Sequence, residues 1–266
     1  MSLSHKSRKT RPVLVAIVGG SGAGKSWLAE KLQSAFGGKA TRISLDSFYL
    51  DRSRLSLAQR QRINFDHPRA IDWPCFENAL KACLAGSRIV VPEYDFASHC
   101  RSQRRVPIDS KELVIVEGLW LLRRPSLRRL FALRIFIECS THLRLERRLG
   151  RDAALRGRTT GSVRRQFRDT VAPMHARFVA PQKRWADAIL RAPFGGKEVR
   201  GLAERLRGLK SAGENIQASR GRTRTSVRAD EAPSFGNSAQ RRARPATFAA
   251  CGEFTRFRGK ETECWM

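Results

Sequence analysis

The sequence predicts an α/β fold built on a central parallel sheet. Three continuous apolar runs, residues 13–18, 113–118 and 133–137, are rich in Val, Ile and Leu, which is typical of strands buried on both faces. A glycine-rich turn joins the first run to residues 28–36, where apolar residues recur at helical spacing. With 266 residues, the chain can form one sizeable domain of this kind, with or without a tail.

The glycine-rich turn carries a phosphate-binding pattern. Its spacing, Gly19-x4-Gly24-Lys25-Ser26, matches the P-loop, in which backbone N–H groups turn inward around a polyphosphate. Lys25 is expected to reach the outer phosphates, and Ser26 to hold magnesium. The residues expected to surround the phosphates are Gly19, Gly20, Ser21, Gly22, Ala23, Gly24, Lys25 and Ser26. Since strand, glycine loop and helix occur in the order that this motif requires, we predict a three-layer P-loop NTPase fold.

The other elements are predicted from local patterns along the chain. A short strand covers residues 41–45, and a polar loop without helix or strand is expected over 51–72. Small strands at 89–92 and 105–108 predict a hairpin-like β flap. The remaining predicted elements are a helix from Trp73 to near Gly86, an arginine-rich helix over 141–158, a helix over 163–178, a strand over 186–190 and a closing helix over 198–209.

The composition predicts a folded domain between two disordered ends. We expect a basic leader over residues 1–11, a domain over 12–210 and a disordered tail over 211–266, where apolar periodicity is lost. The net charge is +28, and the tail holds 10 basic against 6 acidic residues, which leaves 42 against 18 elsewhere. The charge therefore belongs to the domain. It suits an anion-handling enzyme or a nucleic-acid binder, and composition alone does not separate them.

Cysteine usage and hydropathy bear on the cellular compartment. The six cysteines form no Cys-x-x-Cys pair and no Cys/His metal spacing, which favours reduced thiols. The chain contains no run of 18 apolar residues that could span a membrane. We therefore expect a cytoplasmic protein without a membrane partner.

Two acidic residues follow predicted strands at the sheet edge that presents the P-loop. Asp46 comes directly after the strand over 41–45, and Glu117 lies at the end of the run over 113–118. Because ligands bind at the carboxyl ends of parallel strands, we expect Asp46 to be a general base and magnesium partner, and Glu117 to bind magnesium either directly or through one of its ligands. The chain lacks the Asn-Lys-x-Asp motif of GTPases and an Asp-x-x-Gly after a strand, which favours a small-molecule kinase.

Further residues predict an acceptor pocket and a lid. Flat faces for a ring come from Tyr49, Phe65, Tyr94 and Phe96, and hydrogen bonds from Asp66 and His99. An aspartate suits the vicinal diol of a sugar. The arginine-rich helix is expected to close over the phosphates and to place guanidinium groups there as water leaves.

These residues occur in motifs whose order resembles the uridine kinase (uridine–cytidine kinase) family. The motifs are Gly-Gly-Ser-Gly-Ala-Gly-Lys-Ser at 19–26, Asp-Ser-Phe-Tyr at 46–49, Asn-Phe-Asp-His-Pro at 64–68, Tyr-Asp-Phe-Ala-Ser-His at 94–99, Glu-Gly at 117–118 and Arg-Asp-x3-Arg-Gly-Arg at 151–158. The resemblance, over residues 13–190, implies magnesium-dependent transfer of the γ-phosphoryl group of ATP or GTP to the 5′-hydroxyl of uridine or cytidine. The products would be UMP or CMP, in pyrimidine salvage, and the family suggests a homo-oligomer.

The resemblance also implies roles for individual residues. Asp46 matches the catalytic aspartate, Asp66 the ribose contact, and Tyr94 and His99 the base contacts. The lid and substrate positions fall on Arg148, Arg151, Arg158 and Gln166, with Arg148 and Arg151 joining Asp46 and Lys25 in catalysis. Trp73 departs from the family pattern near the acceptor loop, which leaves the nucleoside preference open.

Two alternatives remain open from the sequence. A related P-loop kinase could phosphorylate another small alcohol, such as pantothenate or a sugar phosphate, although the Tyr-Asp-Phe-Ala-Ser-His segment would be idle there. The basic domain could instead bind nucleic acid without catalysis, in which case binding would weaken steeply with salt. We favour the kinase and expect no nucleic-acid partner.

Overall fold

A computed structural model describes residues 11–222 of the chain, and residues 1–10 and 223–266 lie outside that description. The strands are β1 (Val13–Gly19), β2 (Ala40–Ser44), β3 (Ile89–Asp95), β4 (Cys100–Ile108), β5 (Leu113–Gly118), β6 (Leu133–Glu138) and β7 (Ala188–Arg191). Five of them form a parallel sheet in the order β2-β5-β1-β6-β7, which confirms the predicted sheet. β3 and β4 form a separate antiparallel hairpin at the predicted flap, with longer strands than predicted.

The described helices are α1 (Lys25–Phe36), α2 (Leu57–Gln61), α3 (Trp73–Leu84), α4 (Pro125–Arg128), α5 (Thr141–Arg156), α6 (Thr160–Gln166), α7 (Ala172–Met174) and α8 (Gly196–Arg222). The segment predicted as one helix over 163–178 is divided, because wide π turns at Phe167–Val171 and His175–Val179 flank α7. Pro173 lies between the two turns and lacks a backbone N–H, so the regular α-helical hydrogen-bond ladder is interrupted there.

Alternate residues of β1 enter two apolar clusters on opposite faces of the sheet. Leu14, Ala16 and Val18 pack on the face that carries α3. Val15 and Ile17 pack on the face that carries α1 and α8. All five side chains are at most 1% exposed. Burial on both faces explains why the run is continuously apolar instead of alternating, and it produces the predicted three layers.

Two further predictions differ from the structure. The loop expected over residues 51–72 contains α2, so the expectation of no helix there was wrong. A readable signal was missed: Ser56 and Gln59 form a capping box, in which each side chain accepts a hydrogen bond from the other residue's backbone N–H. The closing helix α8 continues to Arg222, beyond its predicted end at residue 209.

The predicted leader and tail fall mainly on residues that the structure does not describe. Residues 1–10 of the leader and 223–266 of the tail lie outside the described part, so the domain limits stay predictions. Between residues 11 and 222, no helix combines the length and the apolar character that crossing a membrane requires.

Candidate active site

The P-loop lies between β1 and α1, as the sequence predicts. Its backbone takes left-handed conformations at Gly22, with φ +82°, and at Gly24, with φ +101°. A Cβ atom on Gly22 would also lie 2.5 Å from the backbone oxygen of Arg144 in α5. Glycine is therefore required at Gly22 by both conformation and space, and the loop's N–H groups can turn toward a phosphate.

Strand register brings the predicted acids to the P-loop. Ser44 at the end of β2 pairs with Glu117 in β5, so Asp46 follows at the same sheet edge. Ser26, in the first turn of α1, donates a hydrogen bond of 2.8 Å from Oγ to Oε2 of Glu117. Lys25 Nζ donates to the backbone oxygen of Gly20 at 3.1 Å. The structure thus assembles all four residues that the sequence assigned to the transfer point.

Burial shifts the pKa values of this group in opposite directions. The pKa of Lys25 is lowered by its burial, which the negative charges of Glu117 and Asp46 oppose. The pKa of Glu117 is raised by burial, which the charge of Lys25 and the hydrogen bond from Ser26 oppose. The ammonium group of Lys25 and the carboxylate of Glu117 therefore stabilise each other's charged form at this buried position.

The oxygen atoms of this group fit a magnesium ion. Ser26 supplies a hydroxyl, and Asp46 and Glu117 supply carboxylates, which are the hard ligands that Mg²⁺ prefers. No group of three His, Cys, Asp or Glu side chains within residues 11–222 could hold a metal by itself. A magnesium ion here would therefore complete its shell with phosphate oxygens and water.

One cleft of about 1410 Å³ contains both ends of the predicted reaction. Of the predicted site residues, those that line it are Ser21, Gly22, Gly24, Lys25, Ser26, Asp46, Tyr49, Phe65, Asp66, Tyr94, Phe96, His99, Glu117, Arg148, Arg151, Arg158 and Gln166. Gly19, Gly20 and Ala23 belong to the P-loop without lining the cleft. The donor loop and the predicted acceptor residues therefore share a single cavity.

The residues predicted to bind the acceptor form a wall of packed rings at one end of the cleft. The ring centroids of Tyr49 and Tyr94 are 5.1 Å apart, and Phe65 stacks on His99 at 4.7 Å with an interplanar angle of 10°. Tyr49 Oη donates to the backbone oxygen of Phe65 at 3.1 Å. Burial raises the pKa of Tyr94, so its hydroxyl stays protonated. This wall offers flat surfaces and polar edges to a ring compound.

The arginine-rich helix α5 contacts the P-loop directly. Arg148 donates from Nη1 to Oγ of Ser21 at 2.7 Å and from Nη2 to Oε1 of Gln166 at 3.0 Å. Arg158 donates to the same oxygen of Gln166. Buried Asp152 forms ion pairs with Arg148 at 3.3 Å and with Arg151 at 2.8 Å. The predicted lid arginines are therefore held in one network beside the donor loop.

Sequence reasoning missed several residues of the site. Arg147 Nη1 donates to the backbone oxygens of Gly22 and Ala23, both at 3.3 Å. Trp27 lines the cleft, and its ring lies 5.6 Å from that of Phe194, edge to face. Arg147 is one arginine among many in α5, and no pattern marks Phe194, so neither carried a readable signal.

Arg101 on β4 is a further residue that the sequence did not indicate. Its Nε donates to the backbone oxygen of Tyr49 at 2.8 Å, and its Nη2 donates to Oδ2 of Asp72 at 3.1 Å. Asp72 is the N-cap of α3. Arg101 therefore ties the hairpin to the segment that carries the acceptor residues.

Comparison with known proteins agrees with this geometry. A profile described as the Phosphoribulokinase / Uridine kinase family matches residues 14–193. The chain is 40% identical over 187 residues to the uridine kinase of Clostridium perfringens, which covers 70% of this chain and 89% of that protein.

Solved structures share the fold. A putative fructose transport system kinase from Silicibacter sp. TM1040 superposes with a TM-score of 0.56 at 24% identity, covering 69% of this chain and 91% of that one. Phosphoribulokinase from Rhodobacter spheroides superposes with a TM-score of 0.53 at 18% identity, covering 68% of this chain and 70% of that one. The resemblance seen in the motifs is thus confirmed, and the chain belongs to the phosphoribulokinase/uridine kinase family of nucleotide-dependent kinases.

Proposed function

We propose that the protein transfers the γ-phosphoryl group of ATP, or of GTP, to the 5′-hydroxyl of uridine or cytidine. The observation that carries this proposal is the single cleft in which the P-loop and the ring-lined acceptor wall meet. A wall of stacked rings with Asp66 and His99 is suited to a nucleoside and would be idle in a kinase for a small aliphatic alcohol. The relative from Clostridium perfringens, named uridine kinase, supports the same substrate.

In the proposed reaction, the 5′-oxygen attacks the γ-phosphorus while its proton passes to the carboxylate of Asp46. A new O–P bond forms, the bond to the β-phosphate oxygen breaks, and the nucleoside diphosphate leaves. Lys25, Arg148 and Arg151 lie in the same cleft and balance charge on the transferring group. Ser26, Asp46 and Glu117 would hold Mg²⁺, which supplies positive charge against the phosphate oxygens.

Acceptor recognition follows from the opposite wall. Phe65, Tyr94 and Phe96 would pack on the pyrimidine, and His99 would hydrogen-bond its exocyclic group. The carboxylate of Asp66 would accept hydrogen bonds from the ribose hydroxyls. A ribonucleoside should therefore be preferred to a 2′-deoxynucleoside, which lacks one of these donors.

The test is a panel of acceptors assayed with Mg-ATP. Uridine, cytidine, adenosine, deoxyuridine and pantothenate are compared in wild type, Asp46→Asn and the control Asp109→Asn, whose carboxylate lies in a surface ion pair with Arg88. We expect turnover of uridine or cytidine, a fall in kcat of about 10²–10⁴-fold in Asp46→Asn, and little change in the control. If no nucleoside is phosphorylated, or if Asp46→Asn keeps near-normal activity, the assignment is wrong.

The proposal also covers the phosphate donor, the metal ion, the cellular location and the oligomeric state. Exchanging ATP for GTP in the uridine assay identifies the preferred donor, and chelation of magnesium should abolish turnover until magnesium is restored. We also propose that the protein works in the cytoplasm as a homo-oligomer. Sedimentation of the purified full chain measures that assembly directly.

A further inference from the structure

A second cavity, of about 460 Å³, lies apart from the active-site cleft and shares no lining residue with it. We call it the arginine cavity. Its walls include His67, Arg69, Trp73, Arg123, Arg177 and Phe178. They come from the segment between α2 and α3, the first residue of α3, the turn after β5 and the wide turn after α7. The volume is in the range of small-molecule sites, roughly 300–1,000 Å³, although the cavity is open on one side.

The arginine cavity concentrates positive charge: of its four lining arginines, Arg124 has a described ion pair, with Glu77. Among the side chains that the structure describes, no carboxylate lies within ion-pair distance of Arg69, Arg123 or Arg177. The charge of Arg177 adds to burial in lowering the pKa of Arg123. Burial lowers the pKa of His67, and the same three arginines add to that shift. These cations repel one another, so an anion bound among them would remove an electrostatic cost.

Flat surfaces accompany the charge. The Phe178 ring has the guanidinium of Arg123 4.5 Å from its centroid and that of Arg177 at 5.1 Å. Arg124 lies 5.1 Å from the Trp73 ring and is also paired with Glu77. An arginine guanidinium group can donate two parallel hydrogen bonds to two oxygens of one phosphate. The flat faces of guanidinium and indole groups can also stack on a heterocyclic base. Phosphate and a flat ring are therefore the two chemical groups that this cavity fits together.

We propose that the arginine cavity is a second binding site, which takes a nucleoside monophosphate or a similar compound that carries both a phosphate and a flat heterocyclic ring. Arg69, Arg123 and Arg177 would hold the phosphate, and Trp73 with Arg124 would contact the ring. A compact basic patch of this size suits a small ligand better than a polynucleotide, which is bound along an extended basic groove.

The site touches the segment that positions the acceptor wall. Asp72 N–H donates to the backbone oxygen of Phe48 at 2.8 Å, and Ile71 forms an antiparallel bridge with Tyr49. Arg69 and Trp73 lie in the same short stretch, directly after Phe65 and Asp66. A ligand that orders this stretch would therefore also order the acceptor residues, which gives the site a route to control acceptor affinity.

Hydrogen exchange with mass spectrometry tests the site, with UMP as the probe. We expect UMP to slow exchange at residues 67–73 and 174–180 in the full chain. The UMP concentration for half-maximal protection of these segments should rise about tenfold or more in Arg123→Gln/Arg177→Gln. The matched control, Arg129→Gln/Arg200→Gln, removes the same charge from exposed positions outside the cavity and should behave as wild type.

Several outcomes would overturn the proposal. One is that UMP gives no protection at 67–73, or gives protection that is unchanged in Arg123→Gln/Arg177→Gln. Another is that ribose 5-phosphate protects equally well, or that single-stranded RNA protects at lower concentration than UMP. The last is a changed oligomeric state in the double variant. The last would make the face an interface between copies. Hydrogen exchange at cleft residues 20–26 and 94–99 is measured in the same experiment and reports on binding in the active-site cleft. Failure of the proposed function and failure of this second site are therefore distinguishable.

Discussion

At the residue scale, the donor loop depends on a close approach between two backbones. Gly22 has φ +82°, and its Cα faces the backbone oxygen of Arg144, where a Cβ atom would approach to 2.5 Å. That oxygen belongs to helix α5 and cannot rotate away as a side chain can. Gly201 in α8 is the opposite case, because a Cβ atom there would meet nothing within 4 Å.

Substituting these two glycines by alanine should therefore shift stability in opposite directions. Gly22→Ala should lower the free energy of unfolding by about 1–3 kcal/mol, since it adds strain at positive φ and a backbone clash. Gly201→Ala should raise it by up to about 1 kcal/mol, since alanine favours a helix interior. Urea unfolding measures both. A free energy of unfolding that is unchanged or raised in Gly22→Ala would show that the loop relaxes around the added methyl group and would contradict the clash.

At the element scale, the hairpin β3-β4 is held by apolar packing of Ile89 and Val91 in the core cluster on the α3 face, and by a few polar ties. Arg101 bonds to Tyr49 and Asp72, and Arg60 donates to the backbone oxygen of Ser98 at the hairpin tip. The hairpin carries the predicted base-contacting residues Tyr94 and His99. Its placement over the cleft therefore depends on the packing of β3 against the core and on these polar ties, and not on pairing with the central sheet.

Replacing Arg101 should loosen the acceptor wall while leaving the donor loop unchanged. In Arg101→Gln we expect KM for the nucleoside to rise about tenfold, from lost charged hydrogen bonds, with KM for ATP little altered. Arg104→Gln on the same strand is the control, because Arg104 is exposed and reaches Glu93 only at 4.0 Å. Steady-state kinetics with each substrate varied in turn provides the measurement. Equal rises in both KM values would contradict the assignment.

At the scale of the whole molecule, buried ionisable groups couple folding to pH. His175 lies behind the P-loop, close enough that a Cβ atom on Gly20 would be 2.7 Å from its ring. Burial lowers the pKa of His175 from 6.5 to about 4, and the charges of Arg144 and Lys25 add to the shift. The unfolded chain therefore binds a proton at this residue before the folded chain does.

Acidification should consequently destabilise the wild type through His175. Between pH 6.5 and about 4, the unfolded state takes up the proton first, so the free energy of unfolding falls as pH falls. After allowance for partial exposure, His175 should account for about 2 kcal/mol of that fall. His175→Gln should lack this component, whereas His142→Gln, at an exposed position of α5, should retain it. Urea unfolding at pH 7.5 and 4.5 measures these free energies. An equal loss of stability in the wild type, His175→Gln and His142→Gln would refute the role of His175 in the pH dependence.

Local sequence patterns by themselves determine the part of the fold that carries the P-loop. The P-loop, the apolar runs of β1, β5 and β6, and the positions of Asp46 and Glu117 after strands are encoded by spacing within a few residues. The family motifs added roles for the acceptor residues, and the structure brings them into the same cleft. The capping box of α2 was equally local, and it was missed only because the polar segment around it suggested a loop.

Only the tertiary structure shows which arginines contact the P-loop, the acceptor wall or the second cavity. Arg101 contacts Tyr49 across about fifty residues of chain, Arg147 reaches the P-loop from α5, and Arg123 and Arg177 meet around Phe178. With 52 lysines and arginines in the chain, no local spacing distinguishes these residues from solvated ones. The physical reason is that a hydrogen bond or a shared cavity depends on distances that the packing of separate elements sets. Sequence periodicity reports only which face of one element is apolar.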